Sequence, residues 1–130
     1  PHKQRFRLTQ SDLDFLRTYL SMLPGESDDP QYAEPDYWDT YVKFLYYGSE
    51  KNSYDPNIRV YNKVGDAYGF LIDGAYFHDV KNNAEFILSA LIYCNSDEIF
   101  NDDKYDYDAV GFPFLKELGR AIHEHQTLKK

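Results

Sequence analysis

Cysteine is nearly absent from this sequence. Cys94 stands alone, so no internal disulfide can brace the chain and the redox compartment stays open. Methionine and tryptophan also occur once each. No run reaches the roughly 18 apolar residues that a membrane-spanning helix needs. Basic residues are few: Lys and Arg number 14 against 22 Asp and Glu, a net charge of −8. A chain of that sign repels polyphosphate. Its one basic cluster, His2 to Arg7, is short and terminal, so no nucleic-acid partner is expected. The chain opens Pro1-His2-Lys3 with neither an initiator Met nor a signal peptide, which predicts a processed product or a piece of something longer.

What the chain has in plenty is aromatic surface, with 13 Tyr and 9 Phe in 130 residues. That length predicts one domain able to bury a core. Each buried Tyr also needs a hydroxyl partner, which places some of them at core margins or along a groove.

Hydrophobic spacing orders the elements. Leu13, Leu16, Leu20 and Leu23 repeat at helical spacing behind Ser11-x-x-Asp14, a capping-box pattern with Asp in place of Glu, and Pro24-Gly25 ends the helix. Residues 24–35 hold three prolines and four acids and read as a loop. A second helix is expected over 36–47, where Trp38, Tyr41, Val42 and Leu45 share a face and Gly48 takes the C′ position. From Ile58 the period becomes two, with Ile58, Val60 and Val64 alternating against Arg59, Tyr61 and Lys63. Strands are expected at about 58–66, 70–79 and 84–94, with a hairpin turn at Lys81-Asn82-Asn83. Asp73-Gly74 is read as strand rather than turn. The third strand is apolar on both faces, through Phe86, Leu88, Ala90 and Ile92 on one and Ile87, Leu91 and Tyr93 on the other. That pattern predicts a central strand covered on both sides. An acidic loop, 95–108, leads to a last helix with Pro113 near its first turn and Leu115, Leu118 and Ile122 on one stripe. The expected fold is α/β of the α+β kind: a three-stranded antiparallel meander flanked by helices. It divides into a helical region over residues 1–57, strands over 58–95 and a C-terminal helix over 108–126.

Self-sufficient nucleophilic chemistry finds little support. No Ser has Lys three residues on, and Gly-x-Ser-x-Gly is absent. Cys94 lies in an apolar strand and reads as an inert core thiol. His123 and His125, two apart on a helix, point about 200° from one another and cannot chelate together, so they read as surface histidines. Asp102, Asp103, Asp106 and Asp108 could take a hard cation but lack the Gly and terminal Glu of an EF-hand loop, so a solvated loop is expected, with no metal and no cofactor. Tyr32, Tyr37, Trp38, Tyr105 and Tyr107 could stack on a glycan or serve as core margins.

The first strand and its successor carry the pattern with chemical content. They read IRVYNKVGDAYGFLIDGAYF, with Lys63-Val64-Gly65 at a strand end, Gly69 beyond it, and Asp73 and Ala75 in the next strand. Followed by a hairpin, an apolar strand and a C-terminal helix, this resembles the closing segment of the penicillin-recognising serine hydrolases, the serine β-lactamases and D,D-peptidases. Their third motif is Lys-Thr-Gly or Lys-Ser-Gly on an edge strand. The likeness is closest to an uncharacterised bacterial branch. It spans about residues 8–125 in element order, and Lys63 to Ala75 by motif.

The resemblance implies that an extended, peptide-like substrate pairs with the strand, that Gly65 permits close approach, and that Lys63 supplies positive charge. It also makes the backbone amide of Asp66 an oxyanion donor and places Val64 beside the substrate. Val64 replaces the family's hydroxyl residue, which puts affinity for ordinary β-lactams in doubt. The Ser-x-x-Lys and Ser/Tyr-x-Asn elements are missing. Tyr93-Cys94-Asn95 matches the latter's letters but ends a core strand.

The resulting expectation is the C-terminal module of a β-lactamase/transpeptidase-like hydrolase acting on β-lactam or peptide/amide-like substrates, inactive alone. Its partners would be the missing N-terminal portion of the parent and a small-molecule or peptide substrate. An open strand edge would also allow a homo-oligomer. A periplasmic or envelope location follows from the resemblance alone. The alternative is an acidic, non-catalytic module that binds a protein or glycan.

Overall fold

A computed structural model describes residues 6–32, 35–51 and 54–129. Helix α1 (Gln10–Ser21) is followed by a long irregular stretch, then a single turn α2 (Phe44–Tyr47). Three strands follow, β1 (Ile58–Ala67), β2 (Phe70–Asp79) and β3 (Ala84–Tyr93), and then α3 (Phe112–Leu128), entered through a π-turn at Tyr107–Gly111. The sheet is antiparallel in the order β1-β2-β3, so the expected α+β meander is present with nearly the expected bounds.

Period-two alternation divides the sheet into two faces. Ile58, Val60, Leu71, Ala75 and Phe77 point inward and are buried against Phe44, Leu45, Tyr47 and Leu115. Each large apolar side chain removed from water there contributes about 1.5–3 kcal/mol. Helix α3 and the α2 turn close this face, Leu115 being fully buried and Leu118 packed on the cluster.

The other face is only partly covered. α1 lies across it at the β1 side, with a cleft between Leu13, Leu16 and Leu20 of the helix and Tyr61 and Tyr76 of the sheet.

Three expectations are corrected. The middle strand is β2, not β3. The third strand is an edge, and its outward Ile87, Leu91 and Tyr93 are exposed at 81%, 57% and 42%. An apolar face alone cannot tell a strand covered by its own chain from one left open. The second helix over 36–47 reduces to the α2 turn, in which Tyr46 has φ 109. Its backbone is held by side chains instead. Asn62 Nδ2 donates to the Val42 carbonyl at 2.8 Å, Leu45 N–H donates to Asp73 at 3.0 Å, and Thr40 Oγ1 donates to the Glu50 carbonyl at 2.8 Å. These bonds satisfy groups that a helix would pair internally. Residues 1–57 are therefore mainly irregular where described, not a helical region. Finally, the capping box of α1 is formed by Thr9 and Asp12, two residues before the expected Ser11 and Asp14.

Other expectations hold. Gly48 caps α2 at φ 62. Asp73 and Gly74 lie inside β2. The Asp79–Ala84 pair closes the hairpin through Lys81-Asn82-Asn83, with Asn82 N–H donating to Asp79 at 2.9 Å.

Candidate functional site

The Lys63-Val64-Gly65-Asp66 segment occupies the second half of β1, which pairs only with β2 and is thus an edge strand. Alternation places Lys63 and Gly65 outward, Val64 and Asp66 inward. Lys63 is exposed, opposite Gly74, and its ammonium donates to the Val64 carbonyl at 2.6 Å. Gly65 pairs with Ile72, whose Cγ2 lies 3.1 Å from where a Cβ on Gly65 would stand, so a side chain there would crowd the outer face. Val64 is half-buried on the core, whereas Asp66 is exposed at the strand's end.

Beyond Asp66 the chain reverses through Tyr68 (φ 53) and Gly69 (φ 88), two left-handed residues that make the tight hairpin preferred between twisted strands. Gly69 is pinned there. Its N–H donates to the Tyr107 hydroxyl at 2.9 Å, its carbonyl accepts from Cys94 N–H at 2.6 Å, and a Cβ would collide with Asn95. Tyr107 in turn donates to the Phe70 carbonyl at 3.3 Å. The turn is thereby tied to the 95–108 loop. Between them lies a cleft of about 370 Å³ bounded by Asp66, Tyr68, Asn101, Asp103, Tyr105 and Tyr107. The edge strand thus runs directly into an acidic, aromatic cleft.

Under the strand, on the core side, is a polar group that sequence reasoning missed. Lys43 Nζ donates to Asn62 Oδ1 at 2.8 Å and to the Val60 and Leu20 carbonyls at 3.2 Å. Asn62 Nδ2 donates to Asp73 Oδ1 at 3.0 Å. Burial pushes the Asp73 carboxyl up to about 6, against the opposing pull of the Leu45 amide, Asn62 and Lys43. Burial likewise lowers the Lys43 ammonium to about 8, with Asp73 opposing. This network fastens the 42–45 segment to the sheet and faces away from Lys63. A signal for it was present, since Asn62 and Asp73 take inward positions among apolar residues.

A second such group joins α3 to the β2–β3 hairpin. His123 Nε2 lies 2.7 Å from Asp79 Oδ2, and His123 Nδ1 lies 3.3 Å from the Tyr46 hydroxyl. His123 therefore packs against the fold and is not the surface histidine expected; His125 is exposed. Burial raises the Asp79 carboxyl, but hydrogen bonds from the Asn82 side chain and amide and from His123 outweigh it and hold the group below its ordinary value. Asp79 pairs with Ile58 at the far end of β1 from Gly65, so this chain of groups is remote from the Lys63 strand.

The remaining candidates separate. Cys94 is buried, and burial pushes its thiol up, as a core thiol requires. Asn95 is buried in the loop, its Nδ2 donating to the Ile99 carbonyl at 3.0 Å. Among the described residues, no three His, Cys, Asp or Glu side chains are gathered for a metal ion, and Asp102, Asp103, Asp106 and Asp108 do not converge on one. Tyr32, Tyr37 and Trp38 join Tyr41 in one aromatic cluster, while Tyr105 and Tyr107 form another, 5.3 Å between centroids. No helix among the described residues is long and apolar enough to cross a membrane. Comparison with protein-family models, curated proteins and solved structures finds no match to the chain.

Proposed function

We propose that this chain supplies the substrate-facing edge strand of a β-lactamase/transpeptidase-like serine hydrolase, with its nucleophile outside these residues. The observation that carries the reading is the placement of Lys63-Val64-Gly65 on a free-edge strand that ends at a cleft. An extended amide or β-lactam substrate pairs with β1, Lys63 offers charge to a substrate carboxylate, and the Asp66 amide helps hold the developing oxyanion. Support also comes from the opposite edge. β3 carries no charge between Glu85 and Tyr93, and it leaves Ile87, Leu91 and Tyr93 in water. Free sheet edges are ordinarily guarded by charge, proline or a covering element. The rest of a parent enzyme would provide that cover.

The test uses a chromogenic cephalosporin and a fluorescent penicillin. The present chain alone should neither turn over the first nor be labelled by the second. A longer gene product that adds a Ser-x-x-Lys helix should do one or both, with Lys63→Ala lowering turnover about a hundredfold. Labelling of the chain alone would sink the claim that it is incomplete. A longer product whose turnover ignores Lys63→Ala would sink the role given to the strand.

A second reading, an acidic non-catalytic protein- or glycan-binding module, is favoured by the aromatic cluster around Tyr37. An unrelated upstream domain, with no labelling in either form, would select it.

A further inference from the structure

The end of α1 and the irregular stretch after it border an open cavity of about 340 Å³, lined by Tyr19, Tyr32, Tyr37 and Tyr41 together with Met22 and Leu23. Its size falls at the lower end of small-ligand pockets, about 300–1,000 Å³. The rings are angled, not coplanar. Tyr32 and Tyr37 are 4.8 Å apart at 57°, and Tyr37 and Tyr41 are 5.3 Å apart at 80°. A flat platform suits the face of a sugar ring. Walls set at an angle to one another instead surround a compact group from several sides.

Charge narrows the occupant further. Every lining residue falls between Thr18 and Val42, a stretch with six acids and no Lys, Arg or His. The cations that flank it are already committed. Arg59 donates twice to Glu26, at 2.8 and 2.6 Å. Lys43 is 4% exposed and turned into the core. Arg17 pairs with Asp14 at 3.6 Å. Lys51 sits over Trp38, 4.9 Å from the ring centroid, and donates to the Pro35 carbonyl at 2.8 Å. That last contact shows the same aromatic cluster already holding an ammonium on one ring. Asp39 brings a carboxylate close to Gly25, the neighbour in sequence of the lining residue Pro24, its Oδ1 3.8 Å from the position a Cβ on Gly25 would take.

Aromatic faces are electron-rich, and several of them around one space favour a cation whose own surface is apolar. We propose that this cavity binds a small alkylammonium cation, the tyrosine rings meeting its N-methyl or methylene groups within a stretch of chain that carries net negative charge. The inference stands apart from the hydrolase reading, because Lys63, Val64, Gly65 and Asp66 do not line this cavity.

The experiment is an NMR titration of the full chain, following tyrosine ring resonances, with choline chloride at constant ionic strength. Its uncharged carbon isostere, dimethylbutanol, and N-acetylglucosamine serve as the comparison ligands. Choline should shift the tyrosine resonances saturably, and the isostere should bind about tenfold more weakly or less. Tyr37→Phe should keep binding, because the ring face remains, while Tyr37→Leu and Tyr32→Leu should lose it. Tyr105→Leu, in the other aromatic cluster, should change nothing. Circular dichroism checks that each variant folds. If a Leu variant does not fold, the choline-to-isostere ratio on the unaltered chain decides alone. Equal affinity for the isostere, saturable binding of the sugar in place of choline, or no saturation by choline would each overturn the proposal.

Discussion

His123 Nε2 approaches Asp79 Oδ2 to 2.7 Å, joining the C-terminal helix to the β2–β3 hairpin across 44 positions of sequence. A carboxylate accepts only, so Nε2 carries the hydrogen; in the neutral ring Nδ1 then accepts from Tyr46. The imidazole also stacks near Phe86, with centroids 6.1 Å apart.

Removing this contact should loosen α3. His123→Ala takes one donor from the buried Asp79 carboxylate, leaving the two from Asn82, and should cost about 1–3 kcal/mol in urea unfolding at neutral pH. The penalty of Asp79→Asn should depend on pH. Asp79 is held below its ordinary value of 3.8 in the fold, so its contribution is present above that value and lost as pH falls through the lower folded one. The stability difference between the parent chain and Asp79→Asn should therefore be largest above about pH 5 and shrink in strong acid. A difference independent of pH would contradict this account.

Asp73 should behave in the opposite way. Its carboxyl titrates near 6 in the fold against 3.8 in the free side chain, so the fold binds this proton more tightly. Its contribution is present below 3.8 and lost as pH rises through about 6, a loss of order 3 kcal/mol by linkage. Asp73→Asn keeps an acceptor for the Leu45 amide and cannot ionise. Subtracting its unfolding free energy from that of the parent at several pH values between about 4 and 7 should show the parent losing ground steadily. A flat difference would mean that Asp73 ionises as freely in the fold as outside it.

Gly119→Ala should destabilise, although alanine is ordinarily the better helix former by about 1 kcal/mol. A Cβ at 119 would stand 2.8 Å from the Tyr46 backbone nitrogen and 3.1 Å from the Leu45 carbonyl carbon, where α3 crosses the α2 turn. Overpacking of this kind costs about 1–3 kcal/mol, and thermal unfolding will show its sign. A higher melting temperature would mean that the crossing has room to give.

Ile87→Thr with Leu91→Thr should leave the chain's unfolding free energy nearly unchanged, within about 0.5 kcal/mol for each site. Both residues project into water from β3, and threonine is itself β-branched, the shape that strands favour. Self-association, measured by sedimentation, should fall at the same time. A large loss of stability would mean that this face is covered within the free chain.

The strands were legible because a two-residue period is local. Ile58, Val60 and Val64 sit on one side of β1 whatever packs there. The same alternation holds a trace of the polar networks, since Asn62, Asp73 and Asp79 take inward positions that apolar residues would otherwise fill. Trp38, Tyr41, Val42 and Leu45 misled for the converse reason. Their helical spacing is real, but Asn62 and Asp73, remote in sequence, capture the backbone groups that a helix would have used. An edge position for the Lys63-Val64-Gly65 strand was implied by the family resemblance alone, and the order β1-β2-β3 is what puts it there. The tyrosine cavity was not legible in advance, because Tyr19 reaches it from α1 while Tyr32, Tyr37 and Tyr41 reach it from irregular chain.

By itself, then, the sequence determined the meander, its hairpins, the C-terminal helix, the net negative charge and the absence of Ser-x-x-Lys and Gly-x-Ser-x-Gly motifs. All of these follow from composition or from periods shorter than one element. Tertiary structure alone decided that β2 is central, that one apolar face of β3 meets water, and that His123 belongs to Asp79. Those outcomes depend on which distant surfaces meet, and hydrophobic pattern says only that a face is apolar, not what will cover it.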